Sequence, residues 1–121
     1  MKTEGNIVTV VTCTYNRSKL IGSIYDSLLK QTDKNFKWLV IDDGSSDDTC
    51  QLIDKFIDEN QIEIDYIYKT NGGKHTALNY AFENIDTELT IIVDSDDFLK
   101  PQAIETVRND YAKILRGGYK I

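Results

Sequence analysis

The sequence predicts an α/β fold: a mostly parallel sheet with helices packed on both faces. Four short runs rich in β-branched or aromatic residues alternate with longer stretches whose apolar residues recur at helical spacing. Two of the runs, residues 7–13 and 89–93, are nearly continuous in apolar character, as strands buried on both faces are. Strict strand–helix alternation means βα units joined by right-handed crossovers.

The elements follow in order. Residues 7–13 form the first strand, and Asn16 or Ser18 can cap the helix after it. That helix places Ile21, Ile24, Tyr25, Leu28 and Leu29 on one face. Residues 36–41 are the second strand, with Trp38 in the core. Asp42-Asp43-Gly44 ends it, and Ser45-Ser46-Asp47-Asp48 supplies capping side chains for a helix with Leu52, Ile53, Phe56 and Ile57 as its stripe. Residues 62–68 alternate imperfectly and suit a strand near a sheet edge. Asn71-Gly72-Gly73 is a turn, followed by a short helix over 74–83 that packs Ala77, Leu78, Ala81 and Phe82. Residues 89–93 are apolar enough to predict a central strand. Pro101 suits the first turn of a last helix carrying Ile104, Val107, Tyr111 and Leu115, which Gly117-Gly118 stops.

Size and charge narrow the function. With 121 residues the chain is long enough for one domain and one core. The formal charge is −6 and the pI about 4.7, with no Lys/Arg cluster, which argues against a nucleic-acid partner. Cys13 and Cys50 lie far apart and match no metal-ligand spacing; they read as reduced thiols in a cytoplasmic protein, with a disulfide left open. No window approaches the ~20 apolar residues of a membrane span. Residues 1–6 are polar and unlike a signal peptide. Any membrane association would come through regions beyond this segment.

Three strands end in polar text: Thr14-Tyr15-Asn16-Arg17, Asp42-Asp43-Gly44-Ser45 and Asp94-Ser95-Asp96-Asp97. Ligands in open α/β sheets sit outside the carboxyl ends of the strands, so these groups are expected to meet in one crevice. Three carboxylates in four residues repel by about 1 kcal/mol per pair at ~4 Å even in water. Solvation relieves that, as does Mg²⁺ or Mn²⁺ among them. Such a run can also be a capping loop that binds nothing. Asp42 and Asp43 can be turn residues or can accept a base or ribose proton. Tyr15 can stack on a base or be an ordinary half-buried aromatic. Gly72-Gly73-Lys74 lets the backbone approach a ligand and adds a cation, and Arg17 is a second one. This is not a P-loop. His75, the single histidine, reads as a polar contact.

Val11-Thr-Cys-Thr-Tyr-Asn-Arg17, Val40-Ile-Asp-Asp-Gly-Ser-Ser-Asp47, Asn71-Gly-Gly-Lys74 with Ala77-Leu-Asn79, and Val93-Asp-Ser-Asp-Asp97 together resemble family 2 glycosyltransferases of the GT-A fold, over essentially the whole chain. Cys13 stands where many members have proline. The resemblance implies a Rossmann-like nucleotide-diphospho-sugar transferase fold and a nucleotide group of Thr14, Tyr15, Arg17, Asp42, Asp43, Lys74 and Asp94. Tyr15 would stack on the base, Asp43 would hydrogen-bond it, and Asp42 would lie beside it and hold the loop. Lys74 matches a basic position that contacts the nucleotide. Asp94 and Asp96 form an Asp-X-Asp motif: Asp96 is the expected ligand of Mn²⁺ or Mg²⁺, with Asp94 nearer the ribose or the metal's waters.

The implied function is inverting, metal-dependent transfer of a sugar from a nucleotide-diphospho-sugar, with UDP the family's commonest nucleotide. The acceptor would be a hydroxyl of a glycan or lipid-linked molecule in cell-surface polysaccharide synthesis. A cytoplasmic location follows, peripheral to the inner face of the membrane where further regions attach it. The family's catalytic base and acceptor site lie in a C-terminal half, so residues 1–121 are expected to be the nucleotide-sugar-binding half of a truncated fold. The base would lie beyond residue 121, and the segment alone would transfer no sugar. Tyr119-Lys120-Ile121 resembles a strand beginning. A receiver domain is excluded because its acidic pair follows the first strand, and here the pair follows the second. A sugar-nucleotide nucleotidyltransferase lacks support because 11–18 has no Gly-rich loop, and a non-catalytic nucleotide-binding module remains the other reading.

Overall fold

The computed structural model describes residues 7–116. Eight elements alternate: β1 (Val8–Thr14), α1 (Ser18–Leu29), β2 (Phe36–Asp42), α2 (Thr49–Glu59), β3 (Glu63–Tyr68), α3 (Lys74–Glu83), β4 (Leu89–Ile92) and α4 (Ala103–Arg116). The sheet is parallel throughout, in the order β3-β2-β1-β4. β1 pairs Val8 with Phe36 and Thr14 with Asp42, which brings the polar ends of the two central strands level.

The sheet separates two cores because successive strand residues point to opposite faces. On one face Val8, Val10, Trp38 and Val40 meet Ile21, Ile24 and Leu28 of α1, Ile53 and Phe56 of α2, and Ile104 of α4. On the other, Val11, Leu39 and Ile41 meet Ala77 and Ala81 of α3, whose small side chains let that helix lie close. All seven residues of β2 are buried, as expected of a strand covered on both sides. Trp38 is fully buried, donates from Nε1 to Thr12 Oγ1 at 3.0 Å, and stacks on Tyr25. Truncating such a side chain to alanine typically costs about 3–5 kcal/mol. Lys37 is buried too, its ammonium held between Asp65 at 3.3 Å and Asp86 at 3.2 Å.

Several expectations need correction, among them Ile57, placed on the α2 stripe but exposed where Ile53 and Phe56 make the contact. β4 is an edge strand among the described residues: only β1 pairs with it, and Ile92 is 48% exposed. Its apolar run predicted a central place, but α3 lies over β1 and β2 and leaves β4 partly open. Phe82 is exposed on α3, where the alanines make the contact. Pro101 lies two residues ahead of α4 rather than in its first turn, and its carbonyl accepts from Thr32 N–H at 2.9 Å. Neither Asn16 nor Ser18 caps α1; Arg17 stands at that position without a side-chain cap bond. β3 is at an edge, as expected, and both cysteines are free. The predicted helix stop at Gly117-Gly118 and the strand start at Tyr119 lie outside the described residues. No helix among the described residues is long and apolar enough to cross a membrane.

Candidate functional site

The parallel ladder continues past the strands and aims their ends at one place. Asp43 N–H donates to Thr14 O at 2.8 Å, Lys69 N–H to Asp42 O at 2.9 Å, and Val93 N–H to Val11 O at 2.9 Å. Val93 is buried, so it anchors the point from which Asp94 leaves the sheet. The result is a crevice of about 280 Å³ at the carboxyl end of β1, β2 and β4. That is slightly below the ~300–1,000 Å³ usual for ligand sites. Cys13, Thr14, Tyr15 and Arg17 line one part, Asp43, Lys74 and Ala77 another, and Asp94, Ser95 and Asp96 a third.

Asp43 is the most constrained of these residues. Its side chain is nearly fully buried, and Oδ1 accepts from Lys69 Nζ at 2.7 Å and Gly72 N–H at 3.0 Å. Oδ2 accepts from Gly73 N–H at 2.9 Å and Asn71 Nδ2 at 3.3 Å. Burial alone would push its pKa up, but the Lys69 ammonium and the two glycine N–H groups outweigh that and hold it below the usual carboxylate range. The turn needs its glycines: Gly73 sits at φ +96°, and a Cβ on Gly44 (φ +90°) would come within 2.9 Å of Asn71 N. The expected base contact of Asp43 therefore has to share oxygens already engaged by the chain itself.

The neighbouring acidic residues hold loops. Asp42, expected in the nucleotide group or beside it, faces away from the crevice and is fully buried. Its Oδ2 accepts from the Tyr66 hydroxyl at 2.6 Å and its Oδ1 from Ser45 N–H at 2.8 Å. Side chains alternate along a strand, so of two adjacent aspartates only one can face the ligand side. Asp47 serves two helix starts: Oδ2 accepts from Ser18 N–H of α1 at 3.2 Å, and Oδ1 from Thr49 N–H of α2 at 3.0 Å. Asn16, at φ +52°, accepts on Oδ1 from Ser46 N–H at 2.8 Å, while its own N–H donates to Ser45 Oγ. The β1–α1 and β2–α2 loops are thus tied side chain to backbone.

Across the crevice, Lys74 opens α3 and its Nζ pairs with Asp94 Oδ1 at 2.6 Å. The hydrogen bond that Lys74 donates to Asp94 raises the lysine's pKa, and both side chains remain more than half exposed. Thr14 is 2% exposed, and its Oγ1 has no hydrogen-bond partner among the described residues. Tyr15 is 47% exposed and lines the crevice. Cys13 is half-buried, and burial pushes its thiol up to about 11, so it stays protonated. No group of three or more His, Cys, Asp or Glu side chains among the described residues could hold a metal by itself. Asp94 and Asp96 offer two carboxylates on one wall, a donor set that suits Mg²⁺ or Mn²⁺ when phosphate oxygens and waters complete the shell. These residues fit an ion that arrives with a diphosphate.

Of the residues singled out from sequence, Thr14, Tyr15, Arg17, Asp43, Lys74, Asp94 and Asp96 share the crevice. His75 is exposed beside it on α3, and Asp97 donates its N–H to Asp94 O in the turn. Sequence reasoning missed Lys69, which binds Asp43, Thr70 O and Thr76 Oγ1, and it missed Asn71 as a side-chain donor to Asp43 O. Neither lies in a pattern that marks its partner, since 26 and 28 residues separate them from Asp43.

Known proteins share this fold. An uncharacterized glycosyltransferase of Mycoplasma pneumoniae is 38% identical over 106 residues, covering 84% of this chain and 36% of that protein. The glycosyltransferase GlyG of Streptococcus pneumoniae is 32% identical over 119 residues, covering 93% of this chain and 39% of that protein. Among solved structures, Staphylococcus aureus TarS in complex with UDP superposes with a TM-score of 0.77 at 31% identity, over 91% of this chain and 32% of that one. The mannosyltransferase PcManGT of Pyrobaculum calidifontis, in complex with GDP-Man and Mn²⁺, gives 0.75 at 26% identity, over 88% and 32%. The parallel sheet with helices on both faces is therefore the GT-A fold of these transferases, and the chain spans about a third of the length of these proteins. Residues 9–114 match the pattern of Glycosyl transferase family 2, and the chain belongs to that family.

Proposed function

We propose that residues 1–121 are the nucleotide-sugar-binding half of an inverting glycosyltransferase that uses Mn²⁺ or Mg²⁺. The donor is a nucleotide-diphospho-sugar, with UDP preferred, and the acceptor a hydroxyl of a glycan or lipid-linked molecule in cell-surface polysaccharide synthesis. One observation carries this reading: three strand ends and the start of α3 deliver an exposed aromatic, two cations and the Asp-X-Asp carboxylates to a single crevice. The UDP and UDP-GlcNAc complexes of TarS support a uridine donor, and the GDP-Man and Mn²⁺ complex of PcManGT supports a divalent ion. TarS is a poly(ribitol-phosphate) β-N-acetylglucosaminyltransferase, which supports a polymer acceptor. The cytoplasmic location expected from the sequence belongs to the same proposal.

In this reading Tyr15 stacks on the base and the unpartnered Thr14 hydroxyl meets a polar atom of the nucleoside. Asp43 holds the Gly72-Gly73 turn against the base end. Arg17 and Lys74 face the diphosphate, Asp96 and Asp94 the metal and ribose side. Asp96 and Asp94 would hold a divalent ion there, which would neutralise charge developing on the leaving diphosphate. The acceptor hydroxyl must lose its proton as it attacks. Asp42 and Asp43 are engaged by the chain's own donors, and Asp94 and Asp96 belong to the metal side, so the base comes from the remainder of the protein.

The test is Asp96→Asn in titration calorimetry with UDP and Mn²⁺. Affinity should fall at least about tenfold, or about 1.4 kcal/mol. An unchanged affinity would remove Asp96 from the metal site, and wild-type UDP binding that does not depend on Mn²⁺ would remove the metal from the reading.

A further inference from the structure

The Lys74–Asp94 pair joins two residues to which the proposed function gives different partners: the lysine the diphosphate, the aspartate the metal side. Both cannot hold at once with the pair intact. A divalent ion near Asp94 repels an ammonium at 2.6 Å from the same carboxylate, and an ammonium turned to a phosphate leaves Asp94 free. Resting on that reading, we infer that Lys74 is a displaceable internal cation, which neutralises Asp94 while the crevice is empty of ligand and exchanges it for the diphosphate when the metal–nucleotide complex enters.

The geometry suits an exchange. The backbone of Lys74 follows Gly73, whose N–H is pinned by Asp43 Oδ2 and whose carbonyl accepts from Ala77 N–H, so the base of the side chain is fixed. Its ammonium rides on a flexible four-carbon stem, and the side chain is 59% exposed, against 55% for that of Asp94. Solvent screens such a pair, so it opens easily. Arg17 lines the same crevice but has no such contact with Asp94, which makes Lys74 the cation that must move.

Exchange has a signature that a purely structural or purely phosphate-binding lysine lacks. Lys74 competes with the metal when no nucleotide is present and assists binding when both are. Metal and nucleotide therefore favour each other, and by linkage the factor is the same in both directions. Removing the charge should change the two affinities in opposite senses.

The experiment compares wild type, Lys74→Met and Lys74→Arg. Mn²⁺ binding without nucleotide is read from the loss of the free-ion electron paramagnetic resonance signal, and UDP binding at saturating Mn²⁺ from calorimetry. Lys74→Met should bind Mn²⁺ alone about threefold more tightly and UDP about tenfold more weakly, and should reduce the enhancement each ligand gives the other. Lys74→Arg should stay close to wild type. If wild type binds UDP in a Mn²⁺-dependent way but Lys74→Met leaves the affinity for Mn²⁺ alone unchanged or weaker, the exchange is wrong and the proposed function stands. If wild type shows no Mn²⁺-dependent UDP binding, the proposed function falls and takes the exchange with it. A Lys74→Met chain that fails to fold also overturns the inference, because an exposed lysine held only by Asp94 should be dispensable for folding; Lys74→Gln, which loses the charge on a polar stem, must then fail in the same way.

Discussion

Replacing Asp43 by alanine should destabilise the chain by about 3 kcal/mol at neutral pH. The carboxylate is nearly fully buried and takes Lys69 Nζ at 2.7 Å, Gly73 N–H at 2.9 Å and Gly72 N–H at 3.0 Å. Breaking a buried ion pair from one side costs about 3–5 kcal/mol, because the partner charge is stranded. The lower end applies here. Lys69 is 19% exposed and keeps Thr70 O and Thr76 Oγ1, and water can reach the N–H of the exposed Gly72. With a urea dependence of about 1.5 kcal/mol per molar, the unfolding midpoint falls by about 2 M. The pH dependence has a definite sign. The folded pKa of Asp43 is depressed, so its contribution is fully present above the unfolded value of about 3.9 and is lost as pH falls through the folded value. The gap between wild type and Asp43→Asn, followed by urea unfolding from pH 7 downward, should therefore narrow below about pH 4. A midpoint shift for Asp43→Ala under about 0.5 M, or an Asp43→Asn gap that does not change on acidification, would refute the cross-link.

Asp47→Ala should cost about 1–2 kcal/mol and speed amide exchange at the starts of both α1 and α2, because one carboxylate accepts from Ser18 and Thr49. Asp48→Ala, which removes no side-chain cap bond, should be near neutral in the same exchange measurement. Gly44→Ala should lower stability by about 2 kcal/mol in thermal unfolding, since φ is +90° and the new Cβ meets Asn71 N at 2.9 Å. Gly22→Ala should raise it by about 0.5–1 kcal/mol, because the added methyl meets nothing within 4 Å on a helix.

The fold class and every element were legible because strand and helix periods differ and both are written in apolar positions. The α3 limits, 74–83, agree with the structure to the residue. The misplacement of β4 has a clear cause: an apolar run reports that a strand is buried, not how many neighbours it has. Phe82 failed for a related reason. Helical spacing placed it on the stripe, but α3 approaches the sheet through Ala77 and Ala81 and leaves the larger ring outside.

The sequence by itself determined that three polar strand ends meet, because parallel strands joined by crossovers must deliver their carboxyl ends to one side of the sheet. It also determined the residue types there, an aromatic, two cations and the paired aspartates. Only the tertiary structure decided how those charges are shared. It turned Asp42 under the sheet to Tyr66, bound Asp43 to Lys69 and the glycine turn, and set Lys74 against Asp94. Those choices depend on a few ångströms between side chains 20 to 30 residues apart, and hydrogen bonds and ion pairs change sharply over that distance. A one-dimensional pattern records which groups arrive at the crevice; the packed sheet determines which of them touch.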